Sequence, residues 1–190
     1  MIVINLFGEP GSGKSTTAAG LFFLLKLNQY KVELVNEFAK ELVWERRNNF
    51  FGDQISIFAE QNRRLERLKD HGLDYAISDS PLLLPILYKP EDYLETFDPL
   101  VMEKFGTYEN VNYLLHRTAA FEEIGRLHNE KEASFMAKKM RRFLDDREIP
   151  YTSIEANPLT PEVIKKDLEA RMKAPVEEIP FLHGATPPLT

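Results

Sequence analysis

The chain has 190 residues, of which 43% are hydrophobic and 28% charged, with a formal net charge of −6 and no cysteine. That size and composition give one ordinary globular domain with a sizeable core and exclude an intrinsically disordered chain. Without cysteine there is no disulfide, no thiolate nucleophile and no cysteine-held zinc or iron–sulfur centre. No apolar run reaches the roughly 18 residues of a membrane span. The opening stretch, residues 1–7, lacks a basic leader, so a cytoplasmic setting without a membrane partner is expected. The acidic balance tilts against nucleic acid as a partner, because phosphate-tracking surfaces are basic.

In chain order, residues 1–7 read as a buried, β-branched strand, followed by a glycine-rich turn and a buried helix over Thr17–Leu27. A second strand, Lys31–Val35, precedes a short helix over Phe38–Arg47. Helical periodicity runs from Asp53 to His71, with Gly72 placed to end it. Tyr75–Ser78 is a third strand. Residues 85–108, with three prolines, read as short helices and loops. Val111–Leu115 is a fourth strand, Glu130–Asp146 a charged amphipathic helix and Tyr151–Ile154 a fifth strand. A last helix runs to about Met172, with Thr160 as N-cap before Pro161. Strands alternating with helices predict an α/β, three-layer fold: a five-stranded parallel sheet with helices on both faces. Residues 1–173 form the expected domain, and 174–190, with four of the 12 prolines, a tail.

Gly8-Glu9-Pro10-Gly11-Ser12-Gly13-Lys14-Ser15 fits the phosphate-loop pattern G-x-x-x-x-G-K-[ST]. Its glycines let successive backbone N–H groups turn inward on a phosphate at the start of a helix. Gly8, Gly11, Ser12, Gly13, Lys14, Ser15 and Thr16 are therefore the expected nucleotide-binding residues. Lys14 reaches the β- and γ-phosphates of ATP, and the Ser15 hydroxyl is a Mg²⁺ ligand. A guanine-reading N-K-x-D is absent, since Asn129-Glu130-Lys131-Glu132 does not match, and the chain is short for an AAA-type motor. A small P-loop NTPase of the kinase kind, with a lid over about residues 117–130, remains.

Asp79, closing the third strand, is placed as the second Mg²⁺ ligand in the manner of a Walker B carboxylate. Glu37 ends the second strand on the carboxyl edge where open α/β sheets bind ligands, and can orient or deprotonate an acceptor hydroxyl. Gln54 and Gln61 share the apolar stripe of Ile57, Phe58, Leu65 and Leu68, so each amide meets either a ligand edge or a backbone partner; Arg64 lies near the same face. Trp44, Phe50 and Phe51 read as core rather than as a base-stacking wall. Arg117, after the fourth strand, and Arg126, beside Gly125, are the candidate lid arginines that neutralise the transferring phosphoryl group.

On GEPGSGKST, VNEFAKELVWE, the glutamine-bearing helix from Asp53, SDSP, the lid arginines and PYTSIEA, the chain resembles the nicotinamide riboside kinase domain of bifunctional bacterial NAD-metabolism repressors and its phosphate-loop relatives. The resemblance covers roughly residues 1 to 170 and implies an ATP-dependent nucleoside kinase. A neutral hydroxyl acceptor needs Glu37 as base. An anionic nucleoside monophosphate would instead need cations such as Arg64, Lys40, Arg46 or Arg47. A hydroxyl carried by DNA or RNA, or an ATP-dependent switch without an acceptor, are the other readings. The sequence leaves the acceptor and the oligomeric state open.

Overall fold

The computed structural model describes residues 1–118 and 130–173. Five strands, β1 (Ile2–Phe7), β2 (Val32–Val35), β3 (Tyr75–Ser78), β4 (Glu109–His116) and β5 (Thr152–Glu155), form one sheet in the order β2-β3-β1-β4-β5. Every pairing is parallel. Parallel neighbours require crossovers, and helices supply them: α1 (Lys14–Leu27), α2 (Phe38–Trp44), α3 (Gln54–Glu66), α4 (Leu84–Tyr88), α5 (Phe97–Gly106), α6 (Glu130–Asp146) and α7 (Thr160–Lys173).

Alternation along β1 separates the two cores. Val3 and Phe7 pack with Phe58, Leu65, Val101, Phe105, Met140 and Leu144 from α3, α5 and α6. Ile4 and Leu6 face the other way, into Ala18, Leu21 and Leu25 of α1 and Ile164 and Leu168 of α7. The result is the expected three-layer α/β architecture. One polar link is buried in it: Asn5 Nδ2 donates to Asn110 Oδ1 at 2.9 Å and to Asn112 Oδ1 at 3.0 Å. This link fixes β1 against β4. On the opposite face α1 approaches α7 so closely that a Cβ on Gly20 would lie 2.8 Å from Pro161 Cγ.

Several expected boundaries shift. The third helix is shorter than 53–71. Asp53 is its N-cap, accepting from Ser56 N at 3.0 Å, and after Glu66 the chain tightens into three-residue turns, Leu68 N to Leu65 O and Lys69 N to Glu66 O. Asp70, at φ 63°, ends these turns, and Gly72, at φ 67°, lies two residues beyond them rather than at the end of the helix. The proline-rich stretch contains a full helix, α5, because Pro99 falls in its first turn, where no N–H is needed. Thr160 is already helical; its Oγ1 accepts from Asn157 N, and Asn157 Oδ1 accepts from Leu159 N, so Asn157 makes the capping turn. The first helix is buried along one side only, with Phe23 and Leu27 exposed.

Candidate functional site

β1, β3 and β2 lie side by side, so the residues that follow them gather at one sheet edge. Ser78 is in register with both Asn5 and Val35. Asp79, next in the chain, therefore stands between the loop that leaves β1 at Gly8 and the turn that leaves β2 at Asn36-Glu37. Ligands of open α/β sheets bind at this edge.

The phosphate loop has the conformation its glycines allow. Gly11 and Gly13 take φ of 86° and 83°, and a Cβ on Gly8 would run into Ser12 Oγ and stand 2.7 Å from Leu115 O. Gly13 flanks the first residue of α1, so the helix opens directly from the loop and aims its free N–H groups into it. Lys14 folds back across the loop, Nζ donating to Gly8 O at 2.9 Å and Glu9 O at 3.1 Å. The other side of the loop is tied down by Gly8 N to Met140 Sδ and by Arg117 N to Glu9 Oε1.

Asp79 is only 5% exposed, and its Oδ1 has no hydrogen-bond partner among the described residues. Burial raises its pKa. The Ser15 hydroxyl, the Lys14 and Lys40 ammonium groups and the Glu37 main-chain N–H oppose that rise. A buried carboxylate with an unused oxygen beside a serine hydroxyl is a hard-oxygen donor pair of the kind Mg²⁺ takes.

Glu37 is the N-cap residue of α2 and is half-buried. Desolvation raises its pKa, and the nearby Asp79 charge adds to the rise; Lys14 and Lys40 work against it. Tyr88, across the cavity, is also raised, by burial and by the charge of Glu37. Helix α3 holds the Glu37 turn from behind. Gln61 accepts from Phe38 N at 3.1 Å and donates to Asn36 O at 3.3 Å, and Arg64 donates to the same carbonyl at 3.2 Å.

A cavity of about 450 Å³ runs from the phosphate loop, Gly11 to Thr16, past Glu37 and Lys40 to an apolar far wall of Val43, Phe51, Ile57, Leu84, Pro85 and Tyr88. Its size is that of a small-molecule site. Gln54, 3% exposed, lines it. Its Nε2 donates to Phe51 O at 2.7 Å, which leaves Oε1 without a hydrogen-bond partner among the described residues.

Of the residues singled out from sequence, Gly11, Gly13, Lys14, Ser15, Thr16, Glu37 and Gln54 line this cavity; Gly8 and Ser12 do not, and Asp79 is buried behind it, beside Ser15 and the Glu37 main chain. Gln61 and Arg64 do not line the cavity: Gln61 is satisfied by backbone, and the Arg64 guanidinium is gripped by Glu41 at 2.6 and 2.8 Å and by Glu60 at 3.1 Å. Arg117 anchors the end of β4 to the loop without lining the cavity, and Arg126 with most of the expected lid lies outside the described residues, as does the 174–190 tail. Trp44, expected in the core, is 63% exposed, whereas Phe51 lines the cavity. The α4 wall went unread: Leu84 and Tyr88 stand four apart on one helix face, but Leu, Pro and Tyr at that spacing signal core equally well.

The fold and this loop define a phosphate-loop nucleotide-binding protein. The chain belongs to an AAA domain family (AAA_28), which it matches over residues 3–160. No curated protein matches the sequence significantly. Among solved structures, it is similar to deoxyadenosine kinase from M. mycoides with bound dCTP, with a TM-score of 0.57 and 18% identity, covering 88% of this chain and 99% of that one. The same enzyme with bound dATP gives 0.54 and 16%, with the same coverage. These likenesses establish the fold. Among the described residues no helix is long and apolar enough to cross a membrane.

Proposed function

We propose that the protein is a nucleoside kinase, transferring the γ-phosphoryl group of ATP to a hydroxyl of a nucleoside-like acceptor. The observation that carries this reading is the position of Glu37, a carboxylate at the junction of the phosphate loop and a mostly apolar cavity of nucleoside size. The loop amides and Lys14 hold the triphosphate, with Ser15 and Asp79 as the Mg²⁺ ligands. Mg²⁺ would neutralise charge on the phosphate oxygens as it develops. Glu37 accepts the proton of the acceptor hydroxyl. That oxygen bonds to the γ-phosphorus as the bond from phosphorus to the β,γ-bridging oxygen breaks, and ADP leaves. Gln54 Oε1 accepts from an N–H on the acceptor ring, between Phe51 and Tyr88. Closure by Arg117 and Arg126 would exclude water.

A nucleoside monophosphate acceptor draws less support. Of the four cations that would hold its phosphate, Arg64 is bound to Glu41 and Glu60, Arg47 is bound to Glu45 and the Phe50 ring, and Arg46 does not line the cavity; Lys40 does line it, but beside Glu37, a carboxylate that an already anionic acceptor does not need. The similarity of fold to a deoxyadenosine kinase points the same way as the cavity. Coupled ADP release across a panel of nucleosides and their monophosphates tests the reading. Turnover with one or more nucleosides is expected, and turnover with monophosphates alone would overturn it.

A further inference from the structure

Among the described residues lining the cavity, three carry charge: Lys14, Glu37 and Lys40. Lys14 belongs to the donor side, on the phosphate loop. Transfer moves a phosphoryl group across to the acceptor side, where the product's monoester carries about −1.5 to −2 charges. Charge of that size next to Glu37, in a mostly apolar cavity, needs a cation of its own. Arg64 and Arg47 are occupied elsewhere. Lys40 has no ion pair or hydrogen bond among the described residues. It stands on the first turn of α2, three residues beyond the N-cap Glu37, and both side chains line the cavity. Its ammonium group is close enough to act on Glu37 and on Asp79 at once.

We propose that Lys40 is the site's second phosphate-binding cation, gripping the transferred phosphoryl group from the acceptor side. The proposal rests on the nucleoside-kinase reading above. Lys40 makes and breaks no covalent bond; it donates hydrogen bonds to the equatorial oxygens in flight and to the same oxygens on the product. An exposed ammonium that meets full charge only after transfer binds product and transition state more tightly than the neutral acceptor, which is the condition for raising turnover.

The chain's single tryptophan, Trp44, lies one helical turn from Lys40 and provides an optical signal for binding. The experiment titrates the unaltered protein, Lys40→Met and Lys40→Arg, without ATP or Mg²⁺, with two probes: the best nucleoside from the panel and the monophosphate made from it. Calorimetry provides a second readout. Lys40→Met should weaken the monophosphate at least tenfold while the nucleoside stays within about twofold, and Lys40→Arg should recover most of the loss. In steady state, kcat should fall about a hundredfold with little change in nucleoside KM. If Lys40→Met binds both probes as the unaltered protein does, or loses both equally, the proposal is overturned. If the unaltered protein binds and phosphorylates no nucleoside, the reading of the cavity fails first and takes this one with it.

Discussion

At Glu37, the proposed base, burial acts on a single carboxyl group. Burial raises its pKa above the ordinary 4.5, so the folded protein holds that proton more tightly than the unfolded chain. Stability therefore declines as pH rises through and beyond 4.5, and the penalty is complete once the folded group has ionised. Glu37→Gln should raise the thermal midpoint of the free protein at neutral pH, with the gain vanishing below 4.5, while cutting kcat at least a hundredfold. On the proposed reading, kcat/KM of the unaltered protein should climb with pH along an acidic limb lying above 4.5. A limb at or below that value would count against Glu37 as the base. Asp79 is strained in the same sense, because burial raises its pKa too. The places of these two acids could be read from sequence because each follows an apolar strand, as the glycine loop also does. Arg64 misled for the opposite reason. Its partner Glu41 lies 23 residues away on another helix, and a pairing of that kind leaves no trace in local pattern.

Between elements, α3 contributes by position, and its Gln61 is the pin. Gln61→Leu would leave the Phe38 N–H without its partner and the Asn36 carbonyl with Arg64 alone, at a cost of about 1–3 kcal/mol. The expected signature is a lower melting temperature and lower kcat with unchanged affinity for ATP; an equal loss of ATP binding would show that the damage is general. The α1–α7 contact makes a second test. Gly20→Ala gains about 1 kcal/mol of helix propensity, yet the new methyl group meets a rigid proline ring at 2.8 Å. Overpacking costs roughly 1–3 kcal/mol, so melting should shift down; a rise would mean that α7 moves aside freely. The helix order was legible from periodicity. The helix ends and the inward face of α4 were not, since leucine, proline and tyrosine serve a core and a cavity wall alike.

For the molecule as a whole, the proposed donor and acceptor sites sit on one sheet edge but on different loops, so they should respond separately. Anything that binds only the folded chain raises its melting temperature. Mg²⁺·ATP and a nucleoside should each do so alone, and Lys14→Ala should abolish the first shift while keeping the second. Loss of both would mean that the lysine supports the fold. The parallel sheet was readable from alternating strands and helices, but the strand order was not, because hydrophobic strands carry no label for their neighbours.

That order has a consequence for how the protein comes into being. The first strand of this sheet to be made is the central one, yet Ile2 pairs with Tyr75 on one flank and Glu109 on the other. On a ribosome adding about 5–20 residues per second, it waits several seconds for both. The phosphate loop leaves that strand, and its Gly8 is held by Met140, later still. A nascent chain halted before residue 109 should therefore not be retained on immobilised ATP, whereas one released after residue 173 should be.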